Sequence, residues 1–200
     1  IVISSCSIKQ PPINLEGNEY PDLRNTPFFP QEQHQCGPAA LATMLVNSGI
    51  DVNPAELIPL VYLPKRQGSF QVELIAATRR FGRIPYILDP NVNALVAELI
   101  AGRPVLVLQN YGLKTFPFYH FAVVTGLLPD NRIVLRSGTT RRHVMKTSHF
   151  LKSWLRPGAW AMVVLRPGEL PANINLNRYL QAVSDFEAVN GPQKALTAYL

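Results

Sequence analysis

The sequence QEQHQCGPAALATML, residues 31–45, decides how this chain is organised. It contains Cys36, followed by Gly37 and Pro38 and then by a run rich in alanine, leucine and methionine, which are good helix formers. The hydrophobic residues of this run recur with helical spacing, which predicts a helix with one buried stripe. The N–H groups of a first helical turn have no helical partners, so we expect them to favour the thiolate of Cys36.

A nucleophilic cysteine requires a base, and His120 in the sequence YHFAVVTG is the candidate. It precedes an apolar run, 121–124, which predicts a strand that would hold the imidazole in a fixed position. A cysteine at a helix start and a histidine on a later strand are typical of thiolate–imidazolium catalysis. Two structural interpretations remain open: an isolated cysteine is often a small core residue, and a histidine beside a strand is often a hydrogen-bonded core residue.

Two blocks of the sequence resemble a known family. QCGPAAL at 35–41, with Gln31 five residues before the cysteine, and YHFAVVTG at 119–126 resemble the bacteriocin-processing (double-glycine leader) peptidase-like family of papain-like cysteine peptidases. The resemblance covers residues 28–165. It implies an α+β papain-like fold, in which a helical half carries Cys36 and an antiparallel sheet carries His120. It also implies that Cys36 is the nucleophile, His120 the base and Gln31 an oxyanion donor.

The chain departs from this family at one position. Members usually carry Asp-Pro after the strand that follows the histidine, whereas this chain has Ser137-Gly138. If 128–131 is the hairpin loop, 127 pairs with 132 and 122 lies opposite 137, so Ser137 shares the face of His120. Ser137 is then expected to accept a hydrogen bond from the imidazole without supplying a charge. The alternatives are a peptidase-like binding or scaffolding domain with weak or no activity, and transpeptidase- or transglutaminase-like acyl transfer.

The composition restricts the class of protein. The chain has 200 residues, of which 47% are hydrophobic and 16% charged, as expected for a globular domain with a sizeable core. The net charge is +6, but the basic residues are spread along the sequence without a nucleic-acid motif, so no nucleic-acid partner is expected. Two cysteines do not make a disulfide framework or a cysteine-rich metal site. We predict a peptide or protein substrate, no cofactor and no metal.

The sequence divides into three segments: a tether at 1–26, a peptidase-like domain at 27–168 and a helical tail at 169–200. Ile3-Ser4-Ser5-Cys6 resembles a bacterial lipobox, which predicts a lipid on Cys6 and a location on the periplasmic side of the cell envelope. A cytoplasmic protein is the alternative. The tail looks like the start of tetratricopeptide repeats that recruit a protein partner. A helical pair that packs on the domain is the alternative.

Local signals predict the elements between these landmarks. Asn53 is expected to cap a helix that ends near 60, Ser69 to cap 71–81, and Thr147 to cap 148–155. The loop 111–118 contains three aromatic residues next to His120. It is expected either to wall a substrate cleft or to pack on the surface. A further helix is predicted at 91–101, and further strands at 84–88, 104–109, 141–146 and 160–165.

Overall fold

The computed structural model describes residues 20–31, 35–113 and 115–200. The helices are α1 (Cys36–Asn47), α2 (Pro54–Val61), α3 (Gln71–Arg80), α4 (Val92–Ile100), α5 (Thr147–Leu155), α6 (Leu176–Asn190) and α7 (Pro192–Tyr199), with a 3-10 turn at Pro64–Arg66. The strands are β1 (Ile84–Ile87), β2 (Val105–Asn110), β3 (Tyr119–Leu128), β4 (Arg132–Ser137), β5 (Thr140–Lys146) and β6 (Ala161–Leu165).

In the described part of the chain, six antiparallel strands form one sheet in the order β1-β6-β2-β3-β4-β5. Helices α1, α2 and α3 pack on the face that carries Phe121 and Val123. Helices α4, α5, α6 and α7 pack on the opposite face, which carries Ala122 and Val124. Successive side chains of a strand point to opposite faces, so β3 contributes to both cores. The predicted α+β fold class is confirmed.

Helix α1 is more deeply buried than its sequence indicates. Every residue from Gly37 to Leu45 is buried, because α1 lies between the sheet and helices α2 and α3. The predicted single buried stripe is therefore wrong. Small residues such as Ala39 and Ala42 allow α1 to be enclosed in this way, since their short side chains let neighbouring elements approach the helix closely.

One of the three predicted helix caps is confirmed. Asn53 accepts a hydrogen bond from the Glu56 N–H, and the Glu56 side chain accepts one from the Asn53 N–H, which is a complete capping box. Phe70, not Ser69, occupies the N-cap position of α3, and no side chain caps it. Thr147 is the first residue of α5, and its hydroxyl donates to the Asn131 carbonyl in the β3–β4 turn. At Thr147 a tertiary contact has replaced the local cap, whereas the Ser69 hydroxyl has no hydrogen-bond partner among the described residues.

The β3–β4 hairpin differs from the prediction at its turn. Leu128 pairs with Arg132, so the loop is one residue shorter than predicted and the expected pairing of 127 with 132 is wrong. A bulge between Val124 and Gly126 then shifts the register by one residue. On the side of the bulge towards His120, Val123 pairs with Arg136. This is the same register as the predicted pairing of 122 with 137. The predicted facing of residues 120 and 137 is therefore retained.

The C-terminal helices belong to the same core as the sheet. Tyr179, Val183 and Phe186 of α6 and Ala195 of α7 are buried in the cluster that covers one sheet face. Buried Glu98 on α4 accepts a hydrogen bond of 2.7 Å from the Ala172 N–H, which fixes the connection into α6. The helical pair thus packs on the domain, and its membership of a repeat array stays a prediction, as does the boundary at 168.

Candidate active site

Cys36 is the first residue of α1, at the point where the helix meets the start of β3. The backbone N–H groups of Phe121, Gly37 and Cys36 lower the pKa of its thiol and so favour the thiolate. Burial acts against them and raises the pKa of the Cys36 thiol above its ordinary value of 9.0. The N–H groups therefore act in the expected direction, but desolvation outweighs them and the net pKa of the thiol is raised.

Gly37 is required beside the cysteine for a steric reason. A Cβ atom built on Gly37 would lie 2.3 Å from Ser69 Oγ and 2.6 Å from Ser69 Cβ. Ser69 precedes α3, and its buried hydroxyl has no hydrogen-bond partner among the described residues. This close approach of α1 and the α3 entry sets the position of the Cys36–Gly37 peptide. The sequence alone predicts only a capping role for Ser69.

His120 and Ser137 meet on the same face of the sheet. His120 lies at the start of β3, and its Nε2 is 2.9 Å from the hydroxyl oxygen of Ser137 at the end of β4. This contact confirms the predicted neighbourhood of the two residues. The bond occupies Nε2, so Nδ1 is the ring nitrogen left for proton exchange with a thiol.

The electrostatics of the site favour a neutral imidazole. Burial, together with the nearby charge of His143 on β5, lowers the pKa of His120 from its ordinary value of 6.5 to about 4. His143 pairs with Leu135 on β4 and so shares the sheet face of Ser137. With the thiol pKa raised and the imidazole pKa lowered, the free protein holds an un-ionised Cys36–His120 site at pH 7.

Gln31 is tied to the site through its backbone. Its N–H donates a 3.0 Å hydrogen bond to the carbonyl of Gly138, the residue after Ser137. Gln31 therefore lies beside the end of β4. This brings Gln31 into the neighbourhood of Ser137, and the oxyanion role of its carboxamide stays a prediction.

Comparison with known proteins identifies the family. The family described as Peptidase_C39 like matches residues 23–162. The chain belongs to this family. The match includes Cys36, His120, Gln31 and Ser137. A comparison with curated protein sequences found no match.

Solved structures show the same fold. A Bacillus anthracis protein assigned as a C39-like peptidase has 16% identity and a TM-score of 0.63, and the alignment covers 74% of this chain and 98% of that one. The peptidase domain of Streptococcus ComA, a bifunctional ABC transporter involved in quorum sensing, has 19% identity, a TM-score of 0.58 and coverages of 70% and 98%. A double-glycine motif protease from an AMS/PCAT transporter, solved in complex with the leader peptide, has 18% identity and a TM-score of 0.51. The alignment covers 69% of this chain and 89% of that one. The fold of this C39-like chain is thus that of the papain-like cysteine peptidases.

Sequence analysis missed several polar residues beside His120. Gln109 is the penultimate residue of β2, is fully buried and lies opposite His120 in the sheet register. Tyr111 is the first residue after β2, and its ring centroid is 5.7 Å from that of His120. A glutamine at the end of an otherwise apolar strand was a usable signal, because antiparallel pairing places it on the face of its partner.

The loop between β2 and β3 exposes apolar side chains next to His120. Leu113, Phe116 and Phe118 are 65%, 79% and 64% exposed. The backbone of the loop is nevertheless ordered by hydrogen bonds, since Asn110 Oδ1 accepts from the N–H groups of both Gly112 and Phe118. Of the three aromatic residues of this loop, Tyr111 packs beside His120, whereas Phe116 and Phe118 are exposed. A role of the loop as the wall of a substrate cleft stays a prediction.

Basic residues are more concentrated in the fold than along the sequence. A cavity of about 300 Å³ is lined by Arg24, Arg136, Arg141 and Arg142. Asp22 forms ion pairs with Arg24 and Arg142. Arg136 is 4% exposed and donates to the backbone carbonyls of residues 24, 26 and 141. This cluster orders the segment that precedes the nucleophile.

Within 20–31, 35–113 and 115–200, no group of three or more His, Cys, Asp or Glu side chains is arranged to hold a metal ion. The helices of these same ranges include none that is long and apolar enough to span a membrane.

Proposed function

We propose that this protein is a cysteine peptidase that cleaves peptide bonds through an acyl-enzyme formed on Cys36. The observation that carries the proposal is the packing of the start of α1 against β3, where Cys36 contacts the cluster that contains Phe121, the residue directly after His120. The family and the fold support the same chemistry. A thiol at a helix start and an imidazole on an adjacent strand are the two groups that acyl transfer requires.

The proposed mechanism begins with neutral groups. His120 Nδ1 takes the proton of the Cys36 thiol as the sulfur attacks the substrate carbonyl carbon. The oxyanion of the tetrahedral intermediate accepts hydrogen bonds from the Cys36 N–H and the Gln31 carboxamide. The imidazolium then gives its proton to the leaving amine as the C–N bond breaks. Water, deprotonated by His120, hydrolyses the thioester and restores the thiol.

The resting charge state has a mechanistic consequence. The pKa of His120 is about 4, so its imidazole is free to accept a proton at pH 7. The high pKa of Cys36 means that the thiolate forms during attack and is stabilised by the N–H donors around it. This arrangement favours general-base catalysis over a preformed thiolate–imidazolium pair, and it predicts slower turnover than a site with an orienting carboxylate.

The exposed apolar loop supports a peptide substrate. Leu113, Phe116 and Phe118 stand in solvent beside His120 on an ordered backbone, and such a surface can pack against apolar side chains of a bound peptide. A structural relative was solved with a leader peptide. We therefore propose a peptide whose apolar residues contact this loop while its scissile bond lies at Cys36.

Cleavage of a peptide library, including sequences with Gly-Gly, tests the function. We expect turnover by the wild type and none by Cys36→Ala. Gln31→Ala should lower kcat by about 10²-fold, since it removes an oxyanion donor. Ser137→Ala should lower it less, because Ser137 acts through His120. Peptide masses before and after incubation give the readout. Equal cleavage by the wild type and Cys36→Ala would rule out the proposal.

A non-catalytic binding domain is the second candidate. The observations in its favour are the serine at the position of the usual aspartate and the un-ionised Cys36–His120 site. Acyl transfer to an amine is a variant of the first proposal that uses the same residues. Including a primary amine in the library assay separates the three outcomes: hydrolysed product, amine adduct, or bound peptide that is not cleaved.

The cellular location and the role of the tail are also proposals. Cys6 lies outside the described residues, and the lipobox resemblance alone supports a lipid-anchored protein on the periplasmic side. Metabolic labelling with a fatty-acid analogue should mark the protein, and Cys6→Ser should abolish the label. An unlabelled wild-type protein in the native host would contradict the anchor.

The tail is proposed to bind a protein partner through apolar residues that α6 and α7 expose, such as Leu180 and Leu196.

A further inference from the structure

The basic cavity, defined by its lining residues Arg24, Arg136, Arg141 and Arg142, has an excess of positive charge. Among the described residues, only Asp22 forms ion pairs with these arginines, and it contacts two of them. Four guanidinium groups and one carboxylate leave three positive charges without a partner around a space of about 300 Å³. Like charges held together in this way repel one another unless an anion neutralises them.

Arg136 is the buried member of this group. It is 4% exposed, yet the hydrogen bonds that its guanidinium donates to the described residues all end on neutral backbone carbonyls. These carbonyls accept its N–H groups but leave its full charge in place. Burial and the charges of Arg141 and Arg142 lower the pKa of Arg136. A buried cation without an adjacent counterion is costly, so an anion bound beside it would stabilise the fold.

We propose that the basic cavity binds a multiply charged phosphate group, carried either by a small soluble molecule or by a phospholipid headgroup. Arginine recognises phosphate oxygens through paired N–H donors. An excess of three charges favours such a group over a single carboxylate, and a volume of about 300 Å³ lies at the lower end of the range for ligand pockets. This second site does not depend on whether Cys36 cleaves peptides.

The position of the cavity connects it to the candidate active site. Arg136 directly precedes Ser137 on β4, and its bonds to the carbonyls of Arg24 and Thr26 tie the N-terminal segment to that strand. An anion that neutralises the arginines reduces the repulsion between this segment and strands β4 and β5. Hydrogen exchange of the Leu23 N–H, which bonds to β3, should therefore slow by about tenfold at ten times the dissociation constant.

Thermal unfolding in the presence of pyrophosphate tests the site. We expect pyrophosphate to raise Tm by about 3–6 °C at ten times its dissociation constant, because a ligand that binds only the folded protein stabilises it. Acetate at the same ionic strength should have little effect, since it carries a single charge. The proposal fails if pyrophosphate raises Tm no more than acetate does, because ionic strength alone would then explain the result.

Arg141→Gln tests whether binding occurs in the basic cavity. The Arg141 side chain is exposed, and its carbonyl, which accepts a hydrogen bond from Arg136, is kept in the variant, so we expect it to fold. Its dissociation constant for pyrophosphate, measured by calorimetry, should rise by about tenfold or more, as loss of one charged hydrogen bond implies.

Arg80→Gln is the matched control, because it removes the same charge from an exposed position on α3 that does not line the cavity. We expect its affinity for pyrophosphate to equal that of the wild type. Equal weakening by Arg80→Gln and Arg141→Gln would show attraction to the net charge of the protein and would contradict a site.

Vesicles distinguish the two sources of the phosphate group. Co-sedimentation of the wild type with phosphatidylcholine vesicles that contain phosphatidic acid, lost in Arg141→Gln and kept in Arg80→Gln, supports a lipid headgroup. A response to pyrophosphate without co-sedimentation supports a soluble ligand. Co-sedimentation that Arg141→Gln leaves unchanged would exclude the lipid as the ligand of this cavity. None of these measurements uses cleavage by Cys36, so this proposal and the proposed function fail separately.

Discussion

Ser137→Asp is expected to raise the pKa of His120 from about 4 by about one to three units. Ser137 Oγ is already 2.9 Å from His120 Nε2, so the new carboxylate would be placed at the imidazole and would stabilise its protonated form. The proton of Cys36 then has a stronger acceptor. Alkylation of Cys36 by iodoacetamide at pH 7 should become about tenfold faster for each unit gained, up to the limit of complete transfer.

The matched control is Ser137→Asn, which has nearly the same shape as the aspartate variant but no charge. An NMR titration of His120 in Cys36→Ala, with each substitution added, separates charge from packing. We expect a large upward change in the pKa for aspartate and a small change for asparagine. Identical titration curves for the two variants would show that the electrostatic argument for this position is wrong.

Gly37→Ala is expected to destabilise the protein by about 1–3 kcal/mol and to lower the reactivity of Cys36. The new Cβ would lie 2.6 Å from Ser69 Cβ, an atom that no side-chain rotation can move away. Relief requires α1 and the entry to α3 to separate, which displaces the Cys36–Gly37 peptide. Urea unfolding and iodoacetamide labelling measure the two effects.

A second substitution makes the steric explanation specific. Ser69→Gly removes both clashing atoms, so the pair Gly37→Ala and Ser69→Gly should recover most of the lost stability, with a coupling energy of about 1 kcal/mol or more. Gly68→Ala is the matched control, because a Cβ there would have its nearest contact at 3.8 Å. It should leave the free energy of unfolding nearly unchanged. Additive effects of the Gly37 and Ser69 substitutions would contradict the clash.

Much of the fold follows from local sequence. The Asn53 capping box, the apolar runs of β2 and β6 and the start of α1 at Cys36 are recognisable because propensity, capping and periodicity act over a few residues. Ser69 and Thr147 show the limit of that reasoning. Each has the chemistry of an N-cap, yet the close approach to Gly37 and the turn at Asn131 decided their positions.

The hairpin shows a different limit. Its strands were predictable from their hydrophobic alternation, but the bulge between Val124 and Gly126 was not. The N-terminal segment binds at this point, since the Leu23 N–H donates to the Thr125 carbonyl and the Leu127 N–H donates to the Pro21 carbonyl. Because contacts between residues about 100 positions apart in the sequence stabilise the bulge, no local sequence pattern indicates it.

The sequence by itself determined the candidate site residues, since Cys36, His120, Gln31 and Ser137 stand in blocks with a recognisable order and local structure. The tertiary structure alone decided their chemical state. Burial raised the thiol pKa and lowered that of the imidazole, and pairing of β2 with β3 brought Gln109 and Tyr111 to His120. The physical reason is the separation in sequence over which each effect acts. Helix starts and strands depend on neighbours in sequence. Desolvation and hydrogen bonding depend on groups that meet only when the sheet and its helices have assembled.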